Sequence, residues 1–506
     1  MFSRLFLDYI NGENGLAPFV GAKPNIEAFR SLIEEKTSKY IHREPLVHAL
    51  KRQMGGEASL EQKENLDKLA LSNCFTITTG HQLNIVTGPL YFIYKIITTI
   101  KLAQELARKY PSYTFVPVFW MASEDHDFEE INHFHLFGKQ YVWQREARGA
   151  VGRLSTSGMG ELLNSVPDLP VWIRDAYTES NNLVEATRKI VNQLFASHGL
   201  LILDGDDSEL KGLIRPLMKA DLLESTLAPV VRATSEKLEE EGYKAQAFVR
   251  DQNFFYLKDA IRQRIEKRGE RFVIVNTDVE FDEAELSNEI EKHPERFSPN
   301  VLLRPLYQET ILPNLAYVGG PGEIAYWLQL KDLFVSQHEL MPILFPRNFV
   351  TILSSAVLQR IEEADLHMED LFMEEVHFQE ILLEKLNVEQ FDFEGENRLL
   401  NDLRASLLDK ANKADKTLIQ AAEAEMARIN KSLSDFHKRL DKALENRHQS
   451  DINKFQNIRK RLFPAGELQE RHDNFLNFYI NHPDMINRLC EELDPFVFAM
   501  NCLVLK

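Results

Sequence analysis

The spacing of apolar residues changes twice along this chain. From residue 1 to about 73 it is helical: Phe29, Leu32 and Ile33 recur at helical intervals, as do Leu46, Leu50 and Met54, until Gly55-Gly56 breaks the pattern. From 74 to 355 short apolar runs alternate with helical stretches. Strands are predicted at 74–78, 115–121, 141–143, 200–203, 272–275, 316–318 and 343–345, and helices at 91–108, 183–198, 208–223, 230–241 and 323–335. This alternation predicts βαβ units, hence an α/β fold with a parallel sheet. The irregular stretch beginning at 146 predicts insertions into that core around 146–260.

Strand signals nearly vanish between 356 and 466. No Pro or Gly occurs from 396 to 462, and Ile429, Leu433, Phe436 and Leu440 keep the spacing of a coiled-coil seam. The pattern fits one long helix or an antiparallel hairpin turning near 446–450. Pro464-Ala465-Gly466 ends it. The aromatic tail, 467–506, is expected to fold back on the core.

Composition narrows the function. The 59 Lys and Arg against 77 Asp and Glu give a formal charge of −18, which argues against a sequence-independent nucleic-acid binder. The three cysteines form no CxxC pair, as expected in a reducing cytoplasm. The start, MFSRLFLDYI, does not read as a signal peptide. The run after Leu90 is interrupted by Lys95, Lys101, Gln104 and Glu105, so no membrane partner is expected.

Three motifs offer chemistry. The first predicted strand runs into Thr79-Gly80-His81-Gln82, followed by Thr87-Gly88-Pro89 and a helix. A glycine turn before a helix N-terminus can bind phosphate, and the His81 imidazole can bind it too or shuttle a proton. A tight turn with a solvent-facing histidine is the bland alternative. The second strand ends in Glu124-Asp125-His126-Asp127, with His133 and His135 following. Such a cluster holds an amine, acts as a general base or binds a metal. Its bland alternative is a helix cap with surface charge. The third motif joins Arg304 to Gly319-Gly320-Pro321-Gly322, Glu323 and Tyr326-Trp327. An arginine can clamp a carboxylate in bidentate fashion, and a glycine-rich turn before a helix can cradle an anion.

Taken together, TTGHQLNIVTGPLYFIYKI, PVFWMASEDHDFEEINH and SPNVLLRPLYQETILPNLAYVGGPGEIAYW resemble the BshC family, the cysteine-adding enzymes of bacillithiol biosynthesis. The likeness runs in order over nearly the whole chain. It implies a Rossmann-like core related to nucleotidyltransferases, with connecting-peptide insertions, and a coiled-coil domain that forms homodimers. It implies a ligase that joins cysteine by an amide bond to the amine of glucosaminyl malate. ATP with Mg²⁺ is the expected activator, and no tightly bound metal is expected. Catalysis is assigned to Glu124, Asp125, His126 and Asp127. Substrate binding is assigned to Gln82, Asn132, His133, Arg304, Gly319, Gly320, Gly322, Glu323 and Tyr326, and nucleotide binding to Gly80, His81, Thr87 and Gly88. The family often carries Gln where this chain has His81, which moves weight to Gly80 and Gln82. Two competing readings are a metal-dependent hydrolase using His81, Asp125, His126, Asp127 and His133, and a nucleotide-binding scaffold that needs a partner.

Overall fold

A computed structural model describes residues 2–39, 41–386 and 391–505. The expected segments 1–73, 356–466 and 467–506 therefore each include one or more positions outside the described residues. The chain forms two compact units, one comprising 1–351 with 467–503, the other 352–466 with 504–506.

In the first unit, β1 (Cys74–His81) and β2 (Thr114–Met121) open the core. A small hairpin follows, β3 (His133–Leu136) with β4 (Lys139–Val142), before the chain returns as β5 (Leu201–Asp204). An antiparallel sheet comes next: β6 (Phe254–Lys258), β7 (Ile261–Arg268), β8 (Arg271–Ile274), β9 (Glu280–Phe281) and β10 (Phe297–Pro299). The core closes with β11 (Asn314–Gly319) and β12 (Ile343–Pro346). The core sheet has the order β12-β11-β1-β2-β5, with every pair parallel. The order reverses at β1, because the chain builds outward through β2 and β5 and then crosses to β11. Ligand crevices in open α/β sheets form at such switch points, beyond the C-terminal strand ends.

β1 is buried along nearly its whole length, as a central parallel strand covered on both faces must be. Its threonines are satisfied internally: Thr76 and Thr78 hydroxyls donate to Asn314 Oδ1 at 3.2 and 2.9 Å, while Asn314 Nδ2 donates to Glu309. The helix Tyr91–Lys109 covers β1 and β2 with a largely apolar face that also buries Lys95, Thr98, Thr99 and Lys101. No described helix is long and apolar enough to cross a membrane.

Three expectations need correction. The predicted strands at 141–143 and 272–275 lie in antiparallel elements outside the core sheet. An apolar run reports burial but not the direction of the neighbouring strand. Strand β5 falls inside the expected insertion range 146–260, so there are two excursions, one before and one after β5. The helical hairpin of the second unit, formed by Glu394–Ala414 and Ile419–Arg447, turns at Lys416–Leu418 rather than near 446–450. Asp415 caps that turn by accepting from the Thr417 N–H, and the Arg404–Glu423 pair at 2.9 Å brackets it. His448 only separates Ile419–Arg447 from the next helix, Gln449–Leu462. Asp caps turns through its own side chain, so this reversal needed neither Gly nor Pro.

The tail returns to the first unit. Leu90 N–H donates to the Asp473 carbonyl, and Glu470 makes a bidentate ion pair with Arg347 at 2.6 and 2.9 Å.

Candidate active site

Beyond the C-terminal ends of β1, β2 and β11 lies a cavity of about 520 Å³. It brings together Gly80 and His81 from the end of β1 with Gln82 just after it, Glu124 to Asp127 from the turn after β2, and Arg304, Glu323 and Tyr326 from far along the chain.

One side of the cavity is acidic. Asp125 Oδ1 accepts from the backbone N–H of His126 at 2.7 Å, and Oδ2 accepts from Gln82 Nε2 at 2.7 Å. Burial pushes this carboxyl up, but the neighbouring His126 side chain, the Gln82 hydrogen bond, the Arg262 charge and the His126 N–H outweigh it and hold it below the usual range. Asp125 therefore shapes the turn as well as lining the cavity, and Asp127 beside it is exposed. Glu124 lies 2.5 Å from Lys211 Nζ, which also binds Asp206 at 2.8 Å. Burial raises the Glu124 carboxyl and Lys211 only partly offsets it, which suits a group that takes up a proton.

The other side is cationic and aromatic. The Arg304 guanidinium lies among the rings of Tyr317, Trp327 and Trp120, at 5.2, 5.9 and 6.0 Å from their centroids. Burial opposes its charge, but Tyr317, Tyr326 and Glu323 outweigh that and keep its pKa above the usual value. Nη1 donates to Gln308 at 3.0 Å, whereas buried Nη2 has no hydrogen bond of good geometry. Gly80 lies beside this cluster: a Cβ there would be in ordinary contact with the Tyr317 hydroxyl at 3.4 Å and Arg304 Nη1 at 3.6 Å. Lys95 donates to the Gly80 carbonyl and to both Glu323 oxygens at 2.8 Å. Burial alone would raise the Glu323 carboxyl, but Lys95 and the Gly320 N–H hold it down.

His81 is a wall residue. Its ring packs on Tyr91 and Phe92, and Nδ1 donates to the Gln82 carbonyl at 3.0 Å. Burial and the Lys95 charge lower its pKa to about 4, so it is neutral at pH 7.

Several expected site residues lie elsewhere. Thr87 and Gly88 do not line the cavity: their N–H groups donate to Asn84 and Ile85 carbonyls, and Asn474 Nδ2 closes the turn at 2.7 and 2.6 Å from the Val86 and Gly88 carbonyls. Gly88 itself is needed for the turn, with φ +63° and Asn84 2.7 Å from a hypothetical Cβ. The loop of Gly319, Gly320 and Gly322 also lies outside the lining, and the Gly320 N–H is taken by Glu323 at 2.9 Å. A carboxylate of the protein thus stands where an anionic ligand was expected. Asn132 and His133 belong to the β3–β4 hairpin: the Asn132 carbonyl accepts from Trp143 N–H at 2.7 Å, and His133 contacts Asn132 Oδ1 and the His135 ring. The metal-binding set is consequently incomplete. Ligand atoms of Asp125, His126 and Asp127 lie within 4.8 Å of one another, but the cationic Arg262 sits 3.9 Å from Asp125 Oδ1 and closer still to His126.

Sequence reasoning missed Lys95, Lys211, Tyr317 and Arg262. Lys95 had a signal, being the one charge in the apolar first half of its helix. Arg262 had none, because its strand reads as a basic surface stretch and its partner lies on another sheet.

Comparison with known proteins gives two family matches. Residues 2–348 match the family described as bacillithiol biosynthesis BshC, N-terminal Rossmann-like domain. Residues 350–505 match bacillithiol biosynthesis BshC, C-terminal coiled-coil domain. The chain is 42% identical over 498 residues to a protein of Cytophaga hutchinsonii named "Putative cysteine ligase BshC", covering 98% of this chain and 95% of that one. A Flavobacterium johnsoniae protein of the same name is 39% identical over 518 residues, covering 100% and 98%. One from Bacillus cereus is 29% identical over 516 residues, covering 97% and 95%.

Proposed function

The chain belongs to the BshC family of bacillithiol biosynthesis and is a ligase, and on that premise we propose that it joins the carboxyl of L-cysteine to the amine of glucosaminyl malate, forming bacillithiol. The observation that carries this reading is the pairing, in one cavity, of a buried carboxyl raised above its usual range, Glu124, with the guanidinium edge of Arg304. Substrates bearing both an amine and carboxylates match that division of charge. Asp125 and Asp127 attract the ammonium, Glu124 accepts the proton that the amine loses on attack, and Arg304 holds a malate carboxylate.

A free carboxylate does not form an amide at neutral pH without activation. ATP with Mg²⁺ is the activating co-substrate we propose. Of the two turns expected to hold phosphate, the one at Thr87–Gly88 is closed by Asn474 and forms no phosphate cradle, whereas the one at Gly80–His81 borders the cavity. Reconstitution tests the reading: pure protein, cysteine, glucosaminyl malate, Mg²⁺ and ATP, with thiol product and nucleotide product both followed. Amide product with AMP indicates adenylation, and with ADP an acyl phosphate. Absence of amide product sinks the assignment.

Homodimerisation through the helical hairpin belongs to the same proposal. Leu399, Leu403, Ile429 and Phe436 leave apolar surface exposed there, as an unpaired seam does. Light scattering should give twice the chain mass, and a monomer at micromolar concentration would refute this.

A further inference from the structure

The buried Arg262 of β7 reaches the acidic edge of the cavity from the antiparallel sheet. Its guanidinium lies 4.1 Å from the Phe255 ring centroid, its Nε donates to Ser298 Oγ of β10 at 3.2 Å, and its Nη1 lies 2.6 Å from Nδ1 of His126. A guanidinium has only donors and does not lose its proton in proteins. The Nδ1 atom facing it must therefore accept. The other charged groups around the ring are farther away: Asp125 Oδ1 is 3.6 Å from Nδ1 and Asp127 Oδ1 is 3.8 Å from Nε2. Neither distance is a hydrogen bond.

We infer that Arg262 is a positioning residue that selects the tautomer of His126, placing the ring proton on Nε2 and making the imidazole a hydrogen-bond donor in the reaction rather than its base. The sequence assigned catalysis to the cluster Glu124 to Asp127 without choosing its base, and this contact separates His126 from Glu124. Nε2–H is then available to the carbonyl oxygen of the activated cysteine, which gains charge when the amine attacks and gives it up as the activating AMP or phosphate leaves, while the amine's proton goes to Glu124. The catalytic part of this inference rests on the amide-forming reading above; the tautomer does not.

The test uses the full chain with ¹⁵N-labelled histidine, observed near pH 8.5, about two units above the ordinary imidazole pKa. Loss of a signal set in His126→Gln assigns the ring. Wild-type protein should show a bare Nδ1 and a protonated Nε2. Arg262→Met should show a mixture of tautomers, and Arg262→Gln, which keeps an N–H donor, should restore the wild-type pattern. Protonated Nδ1 in the wild type, or an unchanged pattern in Arg262→Met, overturns the inference. In product formation, Arg262→Met should lower kcat roughly 10²-fold with KM nearly unchanged, and Arg262→Gln should recover most of it. Full kcat alongside mixed tautomers would overturn the catalytic part. A wild-type protein that makes no amide would count against the proposed reaction, while the ring signals alone would still judge the tautomer.

Discussion

Lys211 Nζ lies 2.5 Å from Glu124 Oε1, and the lysine side chain is fully buried. The same ammonium binds Asp206 at 2.8 Å, and Asp206 in turn takes Arg153 at 2.7 and 3.0 Å. The proposed base is thus the inner end of a chain of charges that runs behind the C-terminal edge of β2 and β5 and reaches the surface at Arg153.

Lys211→Met should leave Glu124 and Asp206 buried without their shared cation. Stability should fall by about 3–5 kcal/mol, the usual cost of breaking a buried pair. Losing that cation should also raise the Glu124 carboxyl further, so the acid limb of the activity profile should move to higher pH. Urea unfolding and a pH–rate profile measure the two effects.

His81→Gln should retain amide formation at neutral pH, because the imidazole is neutral there and serves as cavity wall. Its folded pKa of about 4 lies below the ordinary 6.5, so the native state binds fewer protons than the unfolded state between those values. The stability this contributes is present above pH 6.5 and is lost as pH falls towards 4. The variant should lose that slope, which melting temperatures from pH 4 to 7 would reveal.

Asp221 gives the opposite sign. Burial raises its pKa from 3.8 to about 6, against hydrogen bonds from Asn253 N and Nδ2 at 2.6 and 3.1 Å. The native state binds the extra proton, so this contribution is present below pH 4 and is lost as pH rises through 6. Asp221→Asn should flatten that part of the stability curve, by an amount on the order of 1–3 kcal/mol. A chemical-denaturation series at pH 4, 5, 6 and 7 checks it, and unchanged slopes would contradict the assignment.

Arg304→Lys should raise KM for the carboxylate-bearing substrate about tenfold or more, with a smaller change in kcat. An ammonium keeps the charge but not the planar fork or its seat among Tyr317, Trp327 and Trp120. Initial-rate kinetics with each substrate varied in turn would separate the two parameters.

The linear order of residues determined the α/β core and the helical second unit, because burial period is a local property. β1, β2, β11 and β12 could be read from continuous apolar runs, and the helix-rich stretch from its lack of Pro and Gly. The reactive ends of β1 and β2 were legible for the same reason: Gly80 to Gln82 and Glu124 to Asp127 break apolar runs abruptly. Tertiary structure alone decided which of those groups are free. Gly88 and Gly320 looked like anion cradles in sequence, yet Asn474 and Glu323 close them. Glu124 and Asp125 looked equivalent, yet Lys211 engages one, while Gln82 and a backbone N–H engage the other. Arg262 approaches His126 only because two sheets meet at the cavity. Pairing of charges depends on distances of a few ångströms between segments remote along the chain, and no spacing in the sequence encodes those distances.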